Sequence, residues 1–290
     1  MPKAARRTPE APSLQAQLPE LREGQSVELL KELHILTREG RLNQDTRRKL
    51  KQVYHLVQFI EPLLAEVLKD RGDVTLADHG AGKSYLGFIL YDLFFKSKPV
   101  GWVYGVETRA ELVEKSRALA QRLGFARMGF LATTVQQALD HPELPARIDV
   151  VTALHACDTA TDDAIAFGLA KQARFMVLVP CCQAEVASVM RQHKALSLAR
   201  TPLAELWRHP LHTREFGSQI TNVLRCLQLE AHGYQVTVTE LVGWEHSMKN
   251  ELILARRHDG PQGQRLRARE RLLQIVDELG LQPLRERFAV

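Results

Sequence analysis

The chain has 290 residues, 45% of them hydrophobic and 25% charged, with a formal net charge of +5. That composition suits a soluble globular protein with one sizeable domain plus additions, and it excludes a disordered or fibrous chain. No uninterrupted apolar run approaches the ~20 residues that a membrane-spanning helix needs. Lys3, Arg6 and Arg7 are followed by no apolar segment of a secretory signal. Four cysteines, two of them adjacent, do not make a secreted disulfide framework. The expected compartment is the cytoplasm. Charge is uneven: residues 1–60 carry a net +4 and residues 255–290 a net +3, around a near-neutral middle. Basic flanks of this kind suit a phosphate backbone, although solvated Arg-rich helices give the same pattern.

Residues 1–25, with Pro2, Pro9, Pro12 and Pro19, read as a flexible basic arm. Residues 26–38 and 44–70 read as helices of an N-terminal extension over 26–70. In the second, Leu50, Val53, Tyr54, Val57, Ile60, Leu64 and Val67 recur at helical spacing. The main domain is expected over 71–258. Its first strand, near 73–78, ends in Asp78, and His79-Gly80-Ala81-Gly82-Lys83-Ser84 precedes an amphipathic stretch beginning at Tyr85. Strand, glycine turn and helix open a nucleotide-type α/β fold.

Three ligands compete for this turn. A phosphate-gripping loop needs G-x-x-x-x-G-K-[ST]; Gly82-Lys83-Ser84 completes it, but Ala77 stands where the first glycine belongs. A dinucleotide fingerprint needs G-x-G-x-x-G, and Tyr85 occupies its third position. The looser [DE]-x-G-x-G of S-adenosylmethionine-binding turns is met by Asp78, Gly80 and Gly82. An ordinary strand-to-helix turn is the bland alternative. The second strand, 102–107, ends in Glu107, 25 residues past Gly82. An acid there is placed to accept hydrogen bonds from ribose hydroxyls. That supports a nucleoside ligand without choosing among nucleosides.

The third strand, 128–132, leads to Thr133 and Thr134. The fourth, 148–154, leads through Leu154 into His155-Ala156-Cys157-Asp158-Thr159-Ala160-Thr161-Asp162. The fifth, 175–180, leads into Cys181-Cys182-Gln183. Alternating strands and helices imply a parallel sheet covered on both faces. Ligands of such sheets bind beyond the carboxyl ends of the strands, where these segments converge. Residues 190–218 break the rhythm and read as an insertion. A helix near 218–232 and strands near 234–242 and 251–256 follow, joined through Trp244, His246, Lys249 and Asn250. An Arg-rich segment, 259–290, holds a last helix near 263–279.

The glycine turn, H-x-C-x-x-A-T-D and the Cys-Cys pair resemble a methyltransferase domain. It is the one shared by eukaryotic methyltransferase-like proteins and by tRNA 2′-O-methyltransferases acting on the acceptor stem. His155, Cys157, Ala160, Thr161 and Asp162 match the first motif, and Cys181-Cys182 the second, within a resemblance covering about 45–256. Asp158 stands where that family has glycine, Gln183 stands where the tRNA enzymes have His, and their zinc-binding N-terminal modules have no counterpart here.

The resemblance implies a Rossmann-like class I methyltransferase. Its sheet has seven mostly parallel strands with the last inserted antiparallel, helices on both faces, N-terminal helices and a C-terminal helix. It also implies S-adenosylmethionine as cofactor. Asp78, Gly80, Ala81, Gly82, Lys83, Tyr85, Glu107, Thr133, Thr134, Leu154 and His155 are then the cofactor-side residues. His155, Asp158 and Cys181 are the candidates on the substrate face. No metal is expected. His155, Cys157, Cys181 and Cys182 are soft donors, but the C-x₂-C spacing is missing, as are H-x-E and P-C-x-x-C of a zinc deaminase. RNA, ribosomal or transfer, is the expected acceptor. A protein or small-molecule acceptor and a non-catalytic binding module are the alternatives.

Overall fold

Short apolar runs such as Phe175-Met176-Val177-Leu178-Val179 are buried along their whole length, which only a strand covered on both faces requires. A computed structural model of the chain describes residues 21–82, 84–154, 159–180, 183–193, 198–241 and 251–290. The chain divides into two units, residues 1–51 and 52–290.

In the first unit, α1 spans Val27–Glu32, and the Ser26 hydroxyl accepts the Leu29 N–H at 3.2 Å to cap it. The predicted helix over 26–38 ends early. His34 takes a φ of +55°, a left-handed conformation in which a right-handed helix cannot continue. Asn43 and Thr46 cap the next helix reciprocally: the Thr46 N–H donates to Asn43 Oδ1 at 2.9 Å and the Asn43 N–H to Thr46 Oγ1 at 3.0 Å. That helix, α2, spans Gln44–Arg71. The division falls inside it, so the second unit takes in most of α2 together with the sheet and the whole C-terminal segment.

The second unit is built on seven strands: β1 (Thr75–His79), β2 (Trp102–Glu107), β3 (Met128–Ala132), β4 (Val150–Leu154), β5 (Phe175–Val179), β6 (Tyr234–Glu240) and β7 (Glu251–Arg257). Their order is β3-β2-β1-β4-β5-β7-β6, with β7 alone antiparallel to its neighbours. This is the predicted α/β architecture. The chain runs outward from β1 to β3 and then returns to the other side of β1 with β4. The reversal opens a crevice at the carboxyl ends of β1 and β4.

Helices α3 (Tyr85–Leu90), α4 (Ala110–Arg122), α5 (Val135–Leu139), α6 (Thr159–Ala170), α7 (Glu185–His193), α8 (Pro210–Ala231) and α9 (Gln262–Glu278) complete the unit, and α3 runs on into a π turn over Tyr91–Phe95. The stretch 190–218 is not one insertion. Helix α7 reaches His193, two 3₁₀ turns cover Leu198–Arg200 and Pro202–Trp207, and residues 210–218 are the opening turns of α8. Pro210 at the first position of α8 has no N–H to leave unpaired there.

Among the described residues, two apolar clusters contribute to the core of the unit. One joins the sheet to α5 and α6 through Val151, Met176, Ile165 and Phe167. The other joins α7, α8 and α9 through Met190, Leu224, Leu272 and Val276, closed by Phe288 near the C-terminus. Polar ties register the first strands. Asp149, just before β4, accepts from the Thr75 N–H and hydroxyl at 2.9 Å each and pairs with Arg71 of α2. Among the described residues, no helix is long and apolar enough to cross a membrane.

Candidate active site

The glycine turn leaves β1 with φ of +64° at Gly80 and +55° at Gly82. Only glycine adopts these angles without steric cost. The Ala81 N–H donates to Val106 O at 3.2 Å, tying the turn to β2. A Cβ at Gly82 would meet nothing nearer than Arg109 at 3.8 Å. Backbone conformation, not space, therefore demands glycine here, and the turn is open on that side.

Asp78 is almost fully buried. The Thr152 hydroxyl donates to its Oδ1 at 2.8 Å. Burial raises its pKa to about 6, against hydrogen bonds from Thr152 and the Gly87 N–H that favour the charged form. Asp78, expected among the cofactor-side residues, has Thr152 and Gly87 as its partners. Gly87 was missed. A Cβ there would lie 2.7 Å from Ser84 Oγ and 3.6 Å from Asp78 Oδ2. It does for helix–strand packing what the third glycine of a dinucleotide fingerprint does, two positions later in the chain. Tyr85, at the start of α3, is partly buried, and that burial raises its pKa.

His79 was also missed. Its ring is 6% exposed and lies 5.6 Å from the Phe167 ring, and neither nitrogen has a partner among the described residues. Burial lowers its pKa to about 4, opposed by the nearby Glu107 charge, so the imidazole is neutral at pH 7.

Glu107 reaches back to the turn. Its Oε2 accepts the Gly82 N–H at 2.8 Å, and its Oε1 accepts the Arg109 N–H at 3.1 Å and Arg109 Nε at 3.0 Å. Burial pushes its pKa up, but the Arg109 side chain and these two backbone N–H groups outweigh that and bring it down to about 2. The carboxylate expected to face a ribose is thus ionised and covered by an exposed arginine. At the neighbouring strand end, the Thr133 N–H donates to Glu107 O at 3.0 Å, and Thr134 forms a capping box with Gln137 at the start of α5. Both threonines lie beside Glu107 and have helix-capping partners of their own.

Leu154 ends β4 opposite Val179 of β5. Lys83, His155, Asp158 and Cys181 lie outside the described residues, as do Cys157, Cys182 and the 242–250 loop.

Between α6 and α8 the structure reveals a polar network that sequence reasoning did not find. Arg225 of α8 grips Asp162 of α6 with Nε–Oδ1 2.6 Å and Nη2–Oδ2 3.0 Å, at 1% and 5% side-chain exposure. Arg225 Nη1 donates to Asn222 Oδ1 at 3.2 Å, which also accepts Gln183 Nε2 at 2.7 Å. Asn222 Nδ2 donates to Glu251 Oε2 at 2.6 Å, at the first residue of β7. Asp162 closes the H-x-C-x-x-A-T-D segment and Gln183 follows Cys181-Cys182, so the network fastens both motifs to one helix. The motif residues were visible in the sequence. Arg225, on the buried face of a helix 63 residues on, carried no local signal.

Residues 48–189, just under half the chain, match a family profile described as a methyltransferase domain. S-adenosylmethionine is the cofactor of that domain. No curated protein sequence matches the chain.

Solved structures similar to it include the S-adenosylhomocysteine-bound methyltransferase PaMTH1 of Podospora anserina, at 11% identity and TM-score 0.46, covering 88% of this chain and 100% of that one. An rRNA methylase of Streptococcus thermophilus matches at 10% identity and TM-score 0.42, covering 70% and 96%. Fibrillarin of Aeropyrum pernix with bound S-adenosylmethionine matches at 14% identity and TM-score 0.38, covering 63% and 66%.

Proposed function

We propose that the protein transfers a methyl group from S-adenosylmethionine to RNA, ribosomal or transfer. Charge distribution carries the RNA assignment: positive charge gathers at the two ends of the chain, around a near-neutral catalytic domain.

The described residues fit the cofactor. An open glycine turn stands beside an ionised carboxylate at the next strand end, the arrangement that receives a nucleoside. The cofactor supplies a methyl group already activated on a sulfonium. The chain has to align the acceptor and take its proton. Gly80, Ala81, Gly82 and Tyr85 form the methionine-side wall, with Asp78 bracing the turn from beneath, and Lys83 is assigned to the same side from the sequence. Glu107 takes the ribose when the Arg109 side chain swings outward. Thr133 and Thr134 border the adenine, and Leu154 floors the pocket. His155 and Asp158, following β4, orient the acceptor hydroxyl or amine and accept its proton. Cys181 is assigned to the acceptor side from the sequence.

The test is incubation with tritiated S-adenosylmethionine and, separately, total RNA and protein extract. Label in RNA that is lost in Asp158→Ala, with cofactor binding intact, is the expected result. Label in protein alone would overturn the RNA assignment.

A further inference from the structure

The amino end of the sheet holds a second feature, remote from the glycine turn. A cleft of about 780 Å³ opens between the first residues of β6, the chain leaving β7 and the first half of α9. Arg265, Arg267 and Arg271 line it with His258 and Gln264, and Glu230 is its one lining carboxylate. Among the described residues none of the three arginines forms an ion pair, although arginines elsewhere in the unit pair repeatedly, as Arg174 does with Asp70 and Arg256 with Glu66. Three arginines that form no ion pair among the described residues, set around a concave wall with a single carboxylate, are charge complementary to phosphate oxygens.

The topology sets the distance from the methyl-transfer site. Four strand spacings separate β1 from β6, and the cleft sits at the opposite end of the strands from the turn. With about 4.8 Å between strands and about 17 Å along a five-residue strand, the separation is on the order of 25 Å.

We propose that this cleft is an anchoring site for the phosphodiester backbone of the RNA, away from the methylated residue. The proposal rests on the RNA assignment above and adds to it where the chain grips its substrate. The cleft reads no sequence. It raises the affinity for RNA long enough to reach from β1 to β6 and fixes its direction across the sheet.

The experiment is fluorescence anisotropy of the full chain with a labelled 30-nucleotide single-stranded RNA of mixed sequence, across a salt series. The triple variant R265Q/R267Q/R271Q is expected to bind about tenfold more weakly or worse. Its salt slope should fall by about 2, as for three lost contacts on a single strand. Its melting temperature and S-adenosylmethionine affinity should stay at wild-type values. The single variant R267E, at an exposed position, should lower the slope by about 0.7 or more and serves if the triple variant folds poorly. A control, K98Q/K115Q/R122Q, removes the same charge near the β3 edge and should leave the slope unchanged.

Wild-type affinity and slope in the triple variant would overturn the cleft while leaving RNA as the acceptor. Equal losses in variant and control would also overturn it. Failure of the wild-type chain to bind RNA at all would overturn the RNA assignment itself. Binding of phosphatidylserine vesicles that depends on the three arginines, with RNA binding unaffected, would give the cleft to a membrane surface instead.

Discussion

Asp78 and Asp162 are both buried carboxylates, one beneath the glycine turn at β1 and the other beside β5 and β7. Asp162 is clasped by two nitrogens of Arg225, whose remaining donors run on to Asn222 and through it to Gln183 and Glu251. Asp78 has neutral donors only, and its pKa climbs to about 6. Next to it His79 is buried with no hydrogen-bond partner among the described residues, and its pKa sinks to about 4. The β5–β7 side is therefore a polar staple whose described groups are paired with one another. The β1–β2 side leaves its polar groups poised, and only Glu107 there is held firmly ionised. The proposed cofactor site falls on the poised side, where fewer polar groups are already fully paired.

The largest expected effect breaks the staple. Arg225→Ala strands the Asp162 charge and should cost about 3–5 kcal/mol in urea unfolding. Arg225→Met with Asp162→Leu should recover most of it, because the pair's own desolvation cost disappears as well. If the single variant costs under about 1 kcal/mol, the staple is not structural.

Next comes the poised pair. The buried His79 stays neutral where an unfolded histidine takes a proton, so it weakens the fold as pH falls from 6.5 to about 4. Asp78, with a raised pKa, does the opposite: the stability it adds is full below its unfolded value of 3.8 and lost as pH rises through about 6. The two offset each other between pH 4 and 6. Asp78→Asn should uncover the histidine and give a stability loss of roughly 2–3 kcal/mol between pH 6.5 and 4, measured by urea unfolding at each pH. A flat profile in that variant would remove His79 from the account.

A smaller effect tests the close approach of α3 to β1. Gly87→Ala should destabilise by about 1–2 kcal/mol through the Ser84 oxygen. Ser84→Gly in the same chain should restore stability, since Ser84 also holds a φ of +52° that glycine tolerates better. Glu107→Gln should weaken S-adenosylmethionine by about tenfold in calorimetry, a loss of about 1.4 kcal/mol. Smallest of all, Arg109→Ala should move stability by less than about 0.5 kcal/mol, because the arginine is exposed, and should leave cofactor affinity equal or tighter. Weaker binding would make Arg109 a cofactor contact instead of a cover.

The fold was largely legible because its signals are local. Apolar runs of strand length, glycines at Gly80 and Gly82 and an acid at Glu107 repeat the strand-turn-helix pattern, and the predicted strands fall within a few residues of β1 to β7. The errors came where a single backbone conformation decides. The first helix stops at His34, and 210–218 joins α8, because neither a left-handed residue nor the reach of a long helix is written in hydrophobic periodicity.

In the candidate site, chain spacing sufficed to pair the glycine turn with Glu107, since consecutive parallel strands bring their ends together. It could not show that Arg109 covers that carboxylate. It could not show that Asp78 turns to Thr152, 74 residues on, or that Arg225 waits beneath Asp162. The sequence by itself determined the order of strands and helices, the glycine turn and the acids at the strand ends, because these depend on near neighbours. Only the tertiary structure decided which acids are paired, which are poised and which arginines stay free. Charge in a protein interior is governed by burial and by partners that the fold draws from distant parts of the chain.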